Sequence, residues 1–211
     1  MRQHDYRAIQ RPAIAAALAL ILAMLWSAEA WAVYINRYST TNRGAVTFTG
    51  NTLGLSKRSN QNRPGIEDSI GTFITTNLLS QDGTYPFGTT ANWQQNNSSA
   101  VLNLPGGSTV LYAELIWGGT SNQGGENVTA FLNNAVSLTT PFGSFSVPPA
   151  AATAQSGANT RYVRSANVTA MVSAGGAGTY TVGGVPGTQA DSENTDNTAG
   201  WTLAVVYANA T

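Results

Sequence analysis

Cysteine is absent from all 211 residues, and the single histidine, His4, stands near the start of the chain. Disulfides therefore cannot stabilise the fold. Zinc sites built on Cys and His are excluded, and so are triads that need a histidine base. Charge is also scarce: ten Lys and Arg face ten Asp and Glu, and no basic block occurs. Clustered cations that neutralise phosphates drive nucleic-acid binding, so nucleic acid is not an expected partner. The composition is 42% hydrophobic with zero formal net charge. A disordered chain combines low hydrophobicity with high net charge, so a folded core is expected. Gly, Asn, Thr and Ser abound, the composition of exported β proteins.

The N-terminus has three parts. Arg2, Arg7 and Arg11 form a basic leader, and Ala13 to Trp26 is an unbroken apolar run. Ala28-Glu29-Ala30 and Ala30-Trp31-Ala32 each offer the small residues of a cleavage site. Cleavage after Ala32 leaves Val33 at the start of a strand-like segment. A spanning helix needs about 20 apolar residues. This run is shorter and meets Glu29. The expectation is a signal peptide over 1–32, the general secretory route, a secreted or cell-surface location, and no transmembrane segment after cleavage. Removing the leader strips the chain of its only histidine.

Residues 33–211 suit a single domain. Their apolar period is 2 rather than 3.6. Val110–Trp117 alternates Leu111, Ala113, Leu115 and Trp117 against Val110, Tyr112, Glu114 and Ile116. Trp201–Tyr207 and Thr179–Val182 are further strong strands. Weaker ones are 45–49, 69–75, 100–104, 127–132, 136–139 and 161–163. One helical turn is expected near 167–172, capped by Asn167. Residues 80–99, 145–160 and 185–199 read as loops, the second as a flexible one. No internal repeat is seen. The expected fold is all-β, an antiparallel β-sandwich of jelly-roll type. The chain ends soon after a core strand. Either Trp201–Tyr207 closes the sandwich, or the domain is C-terminally truncated.

Six segments stand in a recognisable order. They are Gly50–Lys57, Asp68–Ile74, Tyr85–Thr90 with Trp93, Tyr112–Gly119, Tyr162–Thr169 and Gly200–Tyr207. Together they resemble the N-terminal region of large bacterial secreted or cell-surface proteins. There such a region precedes tandem immunoglobulin-like repeats of unknown function. The resemblance implies an envelope location and a structural or adhesive character. It supplies no catalytic residues. Those repeats are not in this sequence.

Four groups of residues are candidates for chemistry. Asp191, Glu193 and Asp196 gather carboxylates and amides in one loop, oxygen donors of the kind Ca²⁺ takes. Their spacing is not that of an EF-hand, and a solvated polar loop is the plainer reading; no other cofactor is implied. Glu114 interrupts an apolar strand, which is unusual for a carboxylate. It could be a glycosidase acid, but that reaction needs a second carboxylate about 5–9 Å away. A structural ion pair with Arg161 or Arg164, or a solvent-facing position, explains it more simply. Lys57, the sole lysine, together with Glu114 as proton shuttle, suggests an isopeptide bond; a surface lysine is the commoner case. Tyr85, Phe87 and Trp93 share a loop with amides and could stack on sugar rings. The simpler alternative is an aromatic plug at one end of the sandwich.

Three functions are open to such a chain. The first is a non-enzymatic structural or adhesive module whose partners are envelope polysaccharide or other surface proteins. The second is a carbohydrate-binding module using the aromatic loop over 85–93. The weakest is a glycoside hydrolase.

Overall fold

The computed structural model describes residues 35–53, 92–123, 125–151, 155–156, 160–188 and 198–209. The leader, the strand expected over 69–75, and Lys57, Tyr85, Phe87, Asp191, Glu193 and Asp196 lie outside the described residues. The chain divides into two units, Met1–Arg37 and Tyr38–Thr211. Every described strand and helix belongs to the second unit.

Eleven strands are described: β1 (Gly44–Thr52), β2 (Asn97–Leu102), β3 (Thr109–Thr120), β4 (Asn122–Gln123), β5 (Glu126–Asn127), β6 (Val136–Thr139), β7 (Ser144–Val147), β8 (Gln155–Ser156), β9 (Arg161–Asn167), β10 (Gly178–Gly183) and β11 (Ala199–Ala208). An α-helix, α1, spans Thr169–Gly175. Sheet A has the order β1-β11-β3-β9-β8 and sheet B the order β2-β10-β6-β7, while β4 and β5 form a separate hairpin.

This strand order follows from one long antiparallel ladder. β6 pairs with β7, β3 with β9, β2 with β10 and β1 with β11. The chain thus runs out and back from a single hairpin and wraps into two sheets, the jelly-roll arrangement. The hairpin tip is Thr140-Pro141-Phe142-Gly143. Thr140 and Gly143 exchange backbone bonds of 2.8 and 3.2 Å. The Thr140 hydroxyl also accepts from the N–H groups of Phe142 and Gly143.

The core lies between the sheets. Ala113, Leu115 and Trp117 of β3 meet Leu203, Val205 and Trp201 of β11, all facing inward. Sheet B contributes Ala100, Leu102, Leu138, Tyr180 and Val182. Each fully buried aliphatic side chain stabilises by about 1.5–3 kcal/mol relative to exposure. The Trp201 indole N–H crosses the core to the Ser98 hydroxyl at 2.9 Å. Trp117, opposite Trp201 in the register, buries its indole N–H without an acceptor among the described residues.

Three local expectations are corrected. The strand expected over 127–132 does not form beyond Asn127, which ends β5. The Asn127 side chain closes an Asx turn by accepting from the Thr129 N–H at 2.9 Å, and a 3₁₀ turn follows over Thr129–Phe131. Side-chain capture of this kind competes with a ladder. Second, the segment read as a flexible loop over 145–160 contains most of β7 and all of β8. Third, α1 starts later than expected. Asn167 ends β9, Val168 occupies the cap position, and the Asn167 side-chain oxygen accepts from the Thr169 N–H at 2.9 Å. The tetrapeptide Asn-Val-Thr-Ala occurs at both places, 127–130 and 167–170, and does the same work each time. The valine is buried and its N–H is tied back, Val128 to the Ser121 carbonyl and Val168 to that of Ala113.

Strand β1 is inverted relative to the usual pattern. Its polar residues Thr49 and Asn51 bond toward sheet B, while Val46 and Phe48 face solvent. The Thr49 hydroxyl donates to the Val101 carbonyl and the Asn51 amide to that of Ser99, both at 2.9 Å. These bonds occupy carbonyls of edge strand β2, which would otherwise be open to pairing.

Candidate functional site

Glu114 sits on the outer side of sheet A, yet it is buried. Its carboxylate accepts from the Tyr112 hydroxyl two residues back on the same face. It also accepts from the Ser165 hydroxyl on β9 at 2.6 Å. Tyr38 stacks on Tyr112, with ring centroids 4.9 Å apart and planes 6° from parallel. The solvent-facing reading of Glu114 is therefore corrected. The expected ion-pair partners stand elsewhere. Arg164 pairs in register with Trp117 and so points to the opposite face of the sheet. Arg161 shares the Glu114 face but stands opposite Thr120, six residues along β3. At about 3.4 Å per residue that is about 20 Å away.

Arg164 is instead part of the interior. Its Nε donates to the Asn133 side-chain oxygen at 3.2 Å and its Nη1 to the Val163 carbonyl at 2.9 Å. The guanidinium lies 5.6 Å from the ring centre of Tyr162. The Tyr162 hydroxyl donates to the Pro186 carbonyl at 2.5 Å. Burial pushes this phenol far up, against the smaller lowering effect of the Arg164 charge. Burial also raises Tyr180, to about 12, and its hydroxyl donates to the Gly176 carbonyl at 2.7 Å. Both phenols thus act as neutral donors holding chain segments, the role their burial favours.

Trp93 opens a 3₁₀ turn over Trp93–Gln95, which Asn92 caps through its side chain. It packs against the core and meets Phe131 at 5.4 Å between centroids, tilted by 55°. The plug reading describes its inner side. Phe131 is 37% exposed, so the pair also presents aromatic surface beside Asn92 and Gln94.

The feature that the sequence did not disclose is a trough on the outer face of sheet A, with an open volume of about 890 Å³. Its floor is bare backbone. Thr52, Gly200, Gly118 and Val163 form one row across four strands, so two adjacent positions lack side chains. Gly118 is obligatory, because a Cβ there would lie 2.4 Å from the Tyr162 carbonyl oxygen. At Gly200 the approach is less severe but still tight, since a Cβ would lie 3.3 Å from the Asn51 carbonyl oxygen. Phe48, at 65% exposure, stands at one edge of the trough, and Val163, at 45%, stands at the other. The available signal was the Val46/Phe48 alternation, which reads as a core face until the partner of Thr49 and Asn51 is known.

The chain matches no family model, no curated protein and no solved structure.

Proposed function

We propose that this chain is an exported, non-enzymatic adhesive or structural module of a bacterial secreted or cell-surface protein. The observation that carries the reading is the inverted strand β1. It turns Val46 and Phe48 outward beside a glycine-floored trough, while the core is completed by other strands. Exposed apolar surface of this kind marks contact sites. The leader and the envelope resemblance support the location. The test is binding of the purified mature chain to intact bacterial cells. Wild type is expected to be retained, and Phe48→Asp is expected to be released. Equal retention of the two would remove the face from the contact. N-terminal sequencing of the exported protein should begin at Val33; a retained leader would overturn the export reading.

A second reading, carbohydrate binding, is favoured by the Trp93–Phe131 pair with its neighbouring amides. Tyr85 and Phe87 belong to the same expected site. Polysaccharide pull-down that is lost in Trp93→Ala but kept in Phe48→Asp would assign the sugar to that end of the sandwich.

A further inference from the structure

We propose that the end of the sandwich beside Arg43 binds an acidic sugar of a polysaccharide chain, with the Arg43 guanidinium on the carboxylate and the Tyr207 ring beside the sugar. This site is separate from the outer face of sheet A and from the Trp93–Phe131 pair, and it rests on neither. Trp93–Gln95 precedes β2 and Pro105 follows it, so Trp93 and this site lie at opposite ends of that strand.

The ladder itself opens the cavity. Trp201, Leu203 and Val205 of β11 face the core, and Tyr207, two residues on, takes the same side and is half-buried. Ala45 stands opposite Tyr207. The Asn209 N–H donates to the Arg43 carbonyl at 2.9 Å and carries the same pairing two residues further. Arg43, Ala45, Tyr207 and Asn209 therefore occupy core-side positions of sheet A. Sheet B does not follow them. The bonds from Thr49 to Val101 and from Asn51 to Ser99 step antiparallel along β2. Continuing that step sets Ala45 opposite Pro105, beyond Leu102, the last residue of β2. The sheets part there and leave an open volume of about 640 Å³, whose lining includes Asn42, Arg43, Ala45, Pro105, Tyr207 and Asn209. The Asn209 amide ties the β2–β3 turn to this end of β11, donating to the Gly106 carbonyl at 3.3 Å and the Ser108 hydroxyl at 3.2 Å.

The lining selects an anion that carries a ring. An exposed arginine alone is ordinary. Here no carboxylate lines the cavity, and the Arg43 guanidinium has no ionic or hydrogen-bonding partner among the described residues. A guanidinium presents a planar fork that matches a carboxylate through two parallel bonds. The volume is far larger than a carboxylate and falls in the range of small-molecule sites. Polar side chains outnumber apolar ones in the lining, which suits a hydroxylated ring. The Tyr207 hydroxyl has no partner among the described residues. Asn42 spends its Nδ2 on the Thr40 hydroxyl at 2.6 Å and keeps its Oδ1 as an acceptor. The Tyr207 ring and Pro105 supply apolar surface beside these groups. A second cavity of about 390 Å³ shares Pro105 and has no charged side chain; Ser108, Thr109 and Ser173 line it beside the bare backbone of Gly106 and Gly107. Linked sugars would fill the two compartments in turn, the acidic one beside Arg43.

The experiment titrates the mature chain with trigalacturonate in a calorimeter. Binding is expected with a dissociation constant of about 1 mM or below. Arg43→Gln keeps hydrogen-bonding groups but removes the charge, and should weaken binding at least about tenfold. Tyr207→Phe removes only the hydroxyl. It should weaken binding about threefold and leave the melting temperature unchanged. Arg161→Gln removes the same charge from β9 and should bind like wild type, as should Phe48→Asp. The trimethyl ester of the trisaccharide, which has no charge, should not bind.

A wild-type chain that binds no trigalacturonate at about 10 mM overturns the proposal. Equal binding by Arg43→Gln, or equal binding of the methyl ester, also overturns it. Galacturonate that binds as tightly as the trimer overturns the polysaccharide chain and leaves a single free sugar acid as the ligand. N-acetylglycylglycine that binds more tightly than trigalacturonate reassigns Arg43 to a peptide carboxylate and overturns the sugar. Phe48→Asp leaves this site intact, so failure here does not touch the sheet A reading, and failure of cell retention there does not touch this one.

Discussion

Ser98→Ala tests how the two sheets are held in register. Ser98 on β2 and Trp201 on β11 are 2% and 4% exposed, and their hydrogen bond of 2.9 Å joins sheet B to sheet A through the core. The substitution removes the acceptor and leaves a buried indole N–H. A net hydrogen bond contributes about 1 kcal/mol, and an orphaned buried donor costs about 1–3 kcal/mol. The expected loss is about 2 kcal/mol. For a domain of this size that lowers Tm by roughly 4–8 °C. Trp201→Phe removes the donor and shrinks the ring. In that background Ser98→Ala should cost almost nothing, because the hydroxyl has already lost its partner. The double-mutant cycle, measured by urea unfolding at constant slope, should therefore return a coupling of about 1–3 kcal/mol. Trp117→Phe is the internal control. Its indole N–H has no acceptor among the described residues, so it should cost less than Trp201→Phe. Additivity of Ser98→Ala and Trp201→Phe to within about 0.5 kcal/mol would refute the cross-sheet bond as a stabilising element.

Local geometry sets two further outcomes. Gly118→Ala places a methyl 2.4 Å from the Tyr162 carbonyl oxygen and should destabilise by about 1–3 kcal/mol or more through overpacking. Gly106→Ala, with open space around it, should stay within about 0.5 kcal/mol; similar melting temperatures for the two would contradict the tight β3–β9 approach. Stability should also fall on the alkaline side. Well below the ordinary phenol value of about 10, both Tyr162 and Tyr180 are neutral whether the chain is folded or not. Above it only the unfolded chain ionises them, because both are raised in the fold, Tyr180 to about 12. The unfolded state then binds fewer protons and stability drops as pH rises. Tyrosinate absorbance should show two phenols that ionise only with unfolding; normal titration of all tyrosines in a folded chain would refute this.

Strands whose two faces differ were legible from the sequence. In β3 and β11 the alternation of Ala113, Leu115, Trp117 and of Trp201, Leu203, Val205 is a local property, and it marked the core correctly. The helical turn was legible for the same reason, since Val168 and Val172 had to share a buried side. The strand β7 was not. It has four residues, and Ser-Phe-Ser-Val resembles its loop neighbours until the Thr140–Gly143 turn brings it beside β6. Nor was the role of the Asn-Val-Thr-Ala segment at 127–130, where a side chain captures the backbone that a strand would need.

Glu114 and Phe48 mark the boundary most clearly. Residue order alone determined that this is an all-β chain without cysteine or, after the expected cleavage, histidine. It also placed a carboxylate and an aromatic residue within strands. Which face each residue takes depends on what packs there, and that is decided by strands distant in sequence. Ser165, 51 positions away, turns Glu114 from an odd surface charge into a buried acceptor. The edge of β2 draws Thr49 and Asn51 inward and so turns Phe48 outward. A period of 2 specifies two faces but not which of them meets water; only the wrapped ladder settles that.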